Sequence, residues 1–353
     1  MEGMNYLKNT KLIDKLEKTR ILSTKEFVSL LSTYTDVDRA YAAHRASGVS
    51  KATFGNTIFL RGLIEITNYC KSNCFYCGIR RENFLIQRYR LSEEEIMSCC
   101  EYGYKLGLRT FVLQGGEDEY FTDKILLKII KGIKNSFSDC ALTLSLGEKT
   151  RESYQKLFDA GADRYLLRHE TANPMHYTKL HPVELNLNNR KLCLFNLKEI
   201  GYQTGCGMMV GSPFQTVENL AEDLLFIKKF NPAMIGIGPF IPHKDTIFHD
   251  QKAGIPEDTL FLLSLIRLML PKVLLPATTA LGTISDDGRE LGILAGANVI
   301  MPNLTPVEAR KNYLLYDNKI GTTNDTSEDT RLIKEKVKNI GYKVVDDRGD
   351  YPE

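Results

Sequence analysis

The sequence has no excess of either charge. Its 46 lysine and arginine residues face 44 aspartates and glutamates, a formal net charge of +2. Without a basic surplus there is no electrostatic footprint for nucleic acid or for an anionic membrane, and a small-molecule partner is expected instead. Long apolar runs are missing too. The most hydrophobic stretch, residues 260–270, contains Arg267 and stops at Pro271, short of the roughly 20 residues a membrane helix needs. The opening MEGMNYLKNTKLIDKLEK mixes charged and apolar residues and carries no apolar core with a small-residue cleavage site, so no export is expected. Cysteine is sparse: eight in 353 residues, far below the density of a disulfide scaffold, and none after Cys206. Reduced thiols in a cytoplasmic protein fit that count. With 43% hydrophobic and 25% charged residues, long disorder, collagen and coiled coil are excluded as well.

A chain of this length is either two domains or one large α/β barrel. Short β-like runs alternate with helical segments and can be counted at 58–67, 110–114, 141–146, 164–170, 204–210, 234–240, 273–278 and 298–303. Capping boxes at Ser23–Glu26 and Ser92–Glu95, and Pro256-Glu257-Asp258 before a leucine-rich run, mark helix starts. Eight βα units predict a closed (βα)8 TIM-type barrel over residues 56–305. Residues 1–55 are expected to form a helical extension before it, and residues 306–353 a short C-terminal extension closing it.

The barrel interior is predicted to be polar. Side chains two apart share a strand face, so Leu142, Leu144 and Leu146 oppose Thr143 and Ser145, and Ile64 and Ile66 oppose Glu65 and Thr67. The apolar set meets the surrounding helices, which turns the polar set inward. Arg168 and Glu170 share one side, and two other strands end in Gln114 and Thr278. Gly205, Gly207, Gly236 and Gly238 are expected to clear volume, leaving a hollow barrel for a ligand with partners for both Arg168 and Glu170. A reversed facing, or polar groups bridged by buried water, is the alternative.

At the end of the first strand the sequence reads ITNYCKSNCFYCGIRREN, a C-x3-C-x2-C spacing of Cys70, Cys74 and Cys77. It falls on the first βα loop, at the barrel end where such folds keep their chemistry. Three thiolates on one loop can meet one metal centre, yet they are one short of a closed all-cysteine site. A [4Fe–4S] cluster with an open iron, a zinc site completed by a histidine, and three unrelated thiols are all compatible with the spacing alone.

That spacing, with Tyr76 directly before the third cysteine, resembles the signature of the radical S-adenosylmethionine (SAM) superfamily. The resemblance implies a [4Fe–4S] cluster on Cys70, Cys74 and Cys77. The cluster's open iron binds SAM and its electron cleaves SAM to methionine and a 5′-deoxyadenosyl radical. Gln114-Gly115-Gly116-Glu117 looks like the superfamily segment that contacts the SAM amine. More closely, IEITNYCKSNCFYCGIRREN, LQGGED, TLSLGE, GADRYLLRHETANP, MVGSPFQT, IGIGPFIPH, PATTALGT and GANVIMPN, in that order, resemble the HydE family of [FeFe]-hydrogenase maturases over about residues 60 to 316. Carried over, this implies Tyr76, Gln114, Gly115, Gly116, Ser145, Glu170 and Arg190 at the cofactor. Arg168, Thr278 and Thr279 would bind the carboxylate of a cysteine-derived substrate, with Tyr313 and Tyr316 over the cavity. The implied reaction is radical attack on the sulfur of a cysteine-ligated iron complex during assembly of the hydrogenase diiron subcluster. No side chain serves as acid or base. The implied partners are a small-molecule substrate, a reductant such as ferredoxin or flavodoxin, and other hydrogenase maturases. A radical SAM enzyme acting on an amino-acid derivative, like methylornithine synthase or biotin synthase, is the alternative. A carrier that keeps a cluster without SAM chemistry is a third.

The sequence departs from the family pattern at one place. Many members carry three further cysteines near the C-terminus for a second cluster; here the first of these positions is Gly321, so a single cluster is expected. Cys99, Cys100, Cys140, Cys193 and Cys206 are expected to pack as small hydrophobes, with Cys206 placed to approach the cavity. His176, His181 and His243 are expected to be hydrogen-bonded surface or loop residues rather than ligands, and His169 to face away from Arg168 and Glu170.

Overall fold

A computed structural model describes residues 2–323 and 325–352. The strands are β1 (Thr57–Leu60), β2 (Gly62–Thr67), β3 (Thr110–Gly115), β4 (Ala141–Ser145), β5 (Arg164–Leu166), β6 (Gln203–Cys206), β7 (Met209–Val210), β8 (Met234–Ile235), β9 (Gly238–Pro239), β10 (Val299–Ile300) and β11 (Lys343–Val345). Six of them form a parallel sheet in the order β2-β3-β4-β5-β6-β8. Single bridges, Met234 to Leu274, Pro276 to Val299 and Leu63 to Asn303, carry the ring round to its start. The result is the expected parallel barrel, with helices such as Asp123–Ser136 and Leu187–Ile200 outside it.

The strand expectations need correction in two ways. Residues 273–278 supply isolated bridges rather than a strand; Pro276 has no N–H to donate to a ladder. The runs 58–67, 204–210 and 234–240 are each broken in two, the first into β1 and β2, which belong to different sheets. A Cβ on Gly207 would lie 2.0 Å from the Gly236 carbonyl oxygen, so the glycines there let two backbones approach rather than hollow out the barrel. Of the four glycines, Gly238 alone lines the main cavity.

The expected helix starts at Ser23, Ser92 and Pro256 are present, the two serines as full capping boxes. Helices Glu2–Thr19, Thr24–Thr33 and Asp36–Phe54 precede the barrel, and the last of these packs on Pro256–Met269. The helix Pro256–Met269 is buried nearly all round; Arg267 survives inside it by donating to the carbonyls of Gly296, Pro271 and Val273.

The strand N-termini form a floor that the chain's last residues cover. β11 pairs with β1 on the side opposite β10. Beyond it, Asp350 meets the fully buried Arg164 at 2.6 Å, while the carbonyls of Arg348 and Gly349 accept from Thr110, Arg164 and Arg61. The opposite end, where the strands finish, stays open as a cavity.

Candidate active site

The loop after β2 folds over that open end through its own amides. Asn83 donates to the Gly78 carbonyl at 2.7 Å, and the Asn73 side-chain oxygen accepts from the Glu82 amide and from Arg80. Gly78 donates to the Leu315 carbonyl and Phe75 to that of Leu180, tying the loop to two others across the mouth. Cys70, Cys74 and Cys77 all line one cavity of about 290 Å³. The three are half-buried and carry free thiols. They lie deep enough that burial pushes each thiol up, that of Cys77 to about 12. Left without a metal, they stay protonated at neutral pH; a metal would displace those protons.

The segment after β3 lies directly on this loop. A Cβ on Gly116 would come within 2.1 Å of the Tyr69 carbonyl oxygen and 2.7 Å of Cys70 Cβ, so only glycine permits the contact. The next amide, Glu117 N–H, donates to Cys70 Sγ at 3.3 Å. The Glu117 carboxylate folds over Gly147 to accept from the Glu148 amide and faces Arg190. Arg190, on helix Leu187–Ile200, thus stands between Glu117 at 3.5 Å and Glu148 at 3.2 Å. Burial alone would lower its pKa, but the two carboxylates outweigh burial and raise it, so it stays cationic.

Across the cavity, Arg168 and Glu170 approach to 3.0 Å without the angle of a hydrogen bond. Arg168 Nε and Nη2 and Glu170 Oε2 therefore have no hydrogen-bond partner, and neither has Arg190 Nε, although it lies 3.2 Å from Glu148. Gln114, Gly115, Ser145, Tyr76, Thr278, Tyr313 and Tyr316 complete the wall. Gln114 donates to the Tyr313 hydroxyl at 3.4 Å. The polar facing of the interior is therefore the one expected. Thr279 lies outside this cavity and lines a neighbouring one with Asn303 and Lys319.

Comparison with known proteins sharpens the assignment. The Radical SAM superfamily pattern matches residues 64–227. The [FeFe] hydrogenase maturase subunit HydE of Thermotoga maritima is 48% identical over 275 residues, 78% of each chain. The chain belongs to the HydE family. The 3-methylornithine synthase of Methanosarcina acetivorans is more distant, 28% identical over 324 residues, 90% of this chain and 88% of that one. A crystal structure of methylornithine synthase superposes with a TM-score of 0.82 at 25% identity, covering 95% of this chain and 97% of the other.

For a HydE-family chain the residues present fit the family's cofactors. Three soft thiols on one loop suit iron rather than a hard cation. The unpartnered guanidinium and carboxylate atoms suit a ligand that carries both an amine and a carboxylate. The zinc alternative finds no free histidine in His181, whose ring nitrogens are both engaged, with Tyr76 at 3.2 Å and the Tyr177 carbonyl at 3.0 Å. Burial lowers its pKa to about 3.

Sequence reasoning missed Glu148 as a partner of Arg190. It also missed Lys319, which forms a buried pair with Glu65 below the cavity, where Asn303 donates to the same carboxylate at 3.0 Å. TLSLGE marked Glu148 in sequence; nothing local marks Lys319. The histidines need correction in one respect: His176, His181 and His243 are buried rather than superficial. His169 does face outward, meeting Asp223 at 3.1 Å. Cys206 packs in the core away from the cavity.

Proposed function

We propose that this chain is a cytoplasmic radical SAM maturase acting in assembly of the [FeFe]-hydrogenase diiron subcluster, on a cysteine-derived iron–sulfur substrate. The observation that carries the reading is that the cysteine trio lines one cavity with Arg168, Glu170 and Arg190, whose side chains keep polar atoms without a hydrogen bond. When bound, a [4Fe–4S] cluster with SAM supplies one-electron cleavage of SAM and a 5′-deoxyadenosyl radical. The protein's part is to hold, orient and exclude water.

Cys70, Cys74 and Cys77 would hold three irons, with the Glu117 amide donating to one sulfur. Arg190 would take the SAM carboxylate and Glu170 its amine, with Tyr76, Gln114, Gly115, Gly116 and Ser145 around it. Arg168 and Thr278 would orient the substrate carboxylate, with Thr279 next in the chain, beneath Tyr313 and Tyr316. A ferredoxin or flavodoxin would supply the electron. The greater identity to the HydE chain, 48% against 28% for methylornithine synthase, supports a maturase over an amino-acid mutase.

The test is anaerobic reconstitution with iron and sulfide, followed by SAM and dithionite. Methionine and 5′-deoxyadenosine are expected, and Cys74→Ala should abolish both. Turnover by Cys74→Ala at the wild-type rate would sink the cluster assignment. Failure of the loaded enzyme to support hydrogenase activation in a reconstituted system, with conversion of an amino acid instead, would favour the mutase reading.

A further inference from the structure

Arg88 sits at the far end of the cysteine loop and directs its guanidinium into it. Nη1 donates to the Ile79 carbonyl at 2.9 Å and to that of Asn68. Nη2 donates to the carbonyls of Arg80 at 2.6 Å, Asn83 at 2.9 Å and Arg81 at 3.5 Å. Asn68 precedes Cys70 by two residues and Ile79 follows Cys77 by two, so one side chain clasps both ends of the cysteine segment.

Its neighbours on the loop all have acidic partners: Lys71 with Glu117, Arg80 and Arg81 with Glu82, Arg90 with Asp118. Arg88 pairs with no carboxylate among the described residues, and its guanidinium lies over the ring of Tyr69, the residue before Cys70, 5.9 Å from the ring centre. Neutral amides suffice to close turns in this same loop, as Asn83 and Asn73 show. The carbonyls satisfy its N–H groups, as they do for Arg267, yet no carboxylate balances its positive charge. Three thiolates loaded with iron would place a negative group on the loop it clasps.

We propose that Arg88 is a positioning residue for the cluster. It fixes the loop so that the thiolates meet one cluster, and its uncompensated charge holds the cluster's reduction potential up. The assignment rests on the proposed function. It follows from the planar, multi-donor fork of arginine, which a lysine cannot reproduce. It follows also from the dependence of cluster potentials on nearby charge, since a cation favours the more negative, reduced form.

Arg88→Gln, Arg88→Lys and the exposed control Arg81→Gln should be reconstituted beside the wild-type chain. Iron per chain and the midpoint potential from a dithionite titration, followed by the electron paramagnetic resonance of the reduced cluster, are the readouts. Arg88→Gln should bind less than half the wild-type iron, and its loaded fraction should reduce only at more negative potential. Arg88→Lys should also lose iron yet keep its potential, and Arg81→Gln should match wild type in both. Wild-type iron and potential in Arg88→Gln, or an equal shift in Arg81→Gln, would overturn the proposal while leaving the proposed function intact. If Arg88→Gln does not fold, Arg88→Lys decides, and full loading there overturns it. A wild-type chain that takes up no cluster refutes the proposed function and this assignment together.

Discussion

Glu170 holds a left-handed backbone at φ +65°, a conformation that costs a non-glycine residue about 1–3 kcal/mol. That conformation aims its carboxylate back into the cavity beside Arg168 while its amide still bonds the Gly207 carbonyl. Glu170→Gln keeps the shape and removes the charge. It should weaken SAM binding to the reconstituted protein about tenfold or more, as expected for a lost charge-assisted bond. Equilibrium dialysis against SAM gives the answer, and unchanged affinity would remove Glu170 from the cofactor site. At this scale the sequence was legible where chemistry is contiguous. The cysteine trio lies on one loop and Gln114–Glu117 is one short stretch at the end of β3, so spacing alone brings their atoms together. Arg190 was legible, but its engagement by both Glu117 and Glu148 depends on a helix meeting two separate loops. Arg88 was silent because its acceptors are backbone carbonyls, which every residue carries.

Helix starts were legible because a capping box is a local exchange between residues three apart, as at Ser23 and Ser92. Strand ends were not, because a ladder stops where the neighbouring chain departs, and residues 273–278 find such neighbours at single points only. Glycines show the same division between local and distant causes. Gly48 is exposed in helix Asp36–Phe54, and a methyl group added there would meet nothing within 4 Å, so Gly48→Ala should stabilise the fold by about 0.5–1 kcal/mol. Gly207→Ala places that methyl 2.0 Å from the Gly236 oxygen and should separate β6 from β8. Thermal unfolding should show a rise in Tm for the first, and the second should yield little soluble protein. Soluble Gly207→Ala with wild-type Tm would contradict the packing described between these strands.

Across the whole molecule, three buried histidines tie stability to pH. Burial lowers the pKa of His176, His181 and His243 below 6.5, that of His181 to about 3. The folded chain keeps them neutral while the unfolded chain takes up protons near 6.5. Their contribution is complete above pH 6.5 and is lost as pH falls toward the folded values. The loss approaches about 1.4 kcal/mol per pH unit for each histidine. Tm should therefore fall between pH 7 and 5, less steeply in His181→Gln; a flat profile would show that these rings are not held neutral. The floor supplies a second whole-molecule prediction. Asp350 is 39% exposed while Arg164 is fully buried. Asp350→Asn should cost about 2 kcal/mol, below the value for a pair buried on both sides, and guanidinium unfolding would measure it.

Thr57 of β1 pairs with Lys343 of β11, and Arg61 and Arg164 wait for residues 348–350. During synthesis, then, the first barrel strand leaves the ribosome long before its second neighbour exists. Until the tail emerges, two buried-to-be arginines face water at an unsealed base, while the cysteine loop at the other end is already complete. The base is thus the last part of the barrel that the order of the chain allows to close.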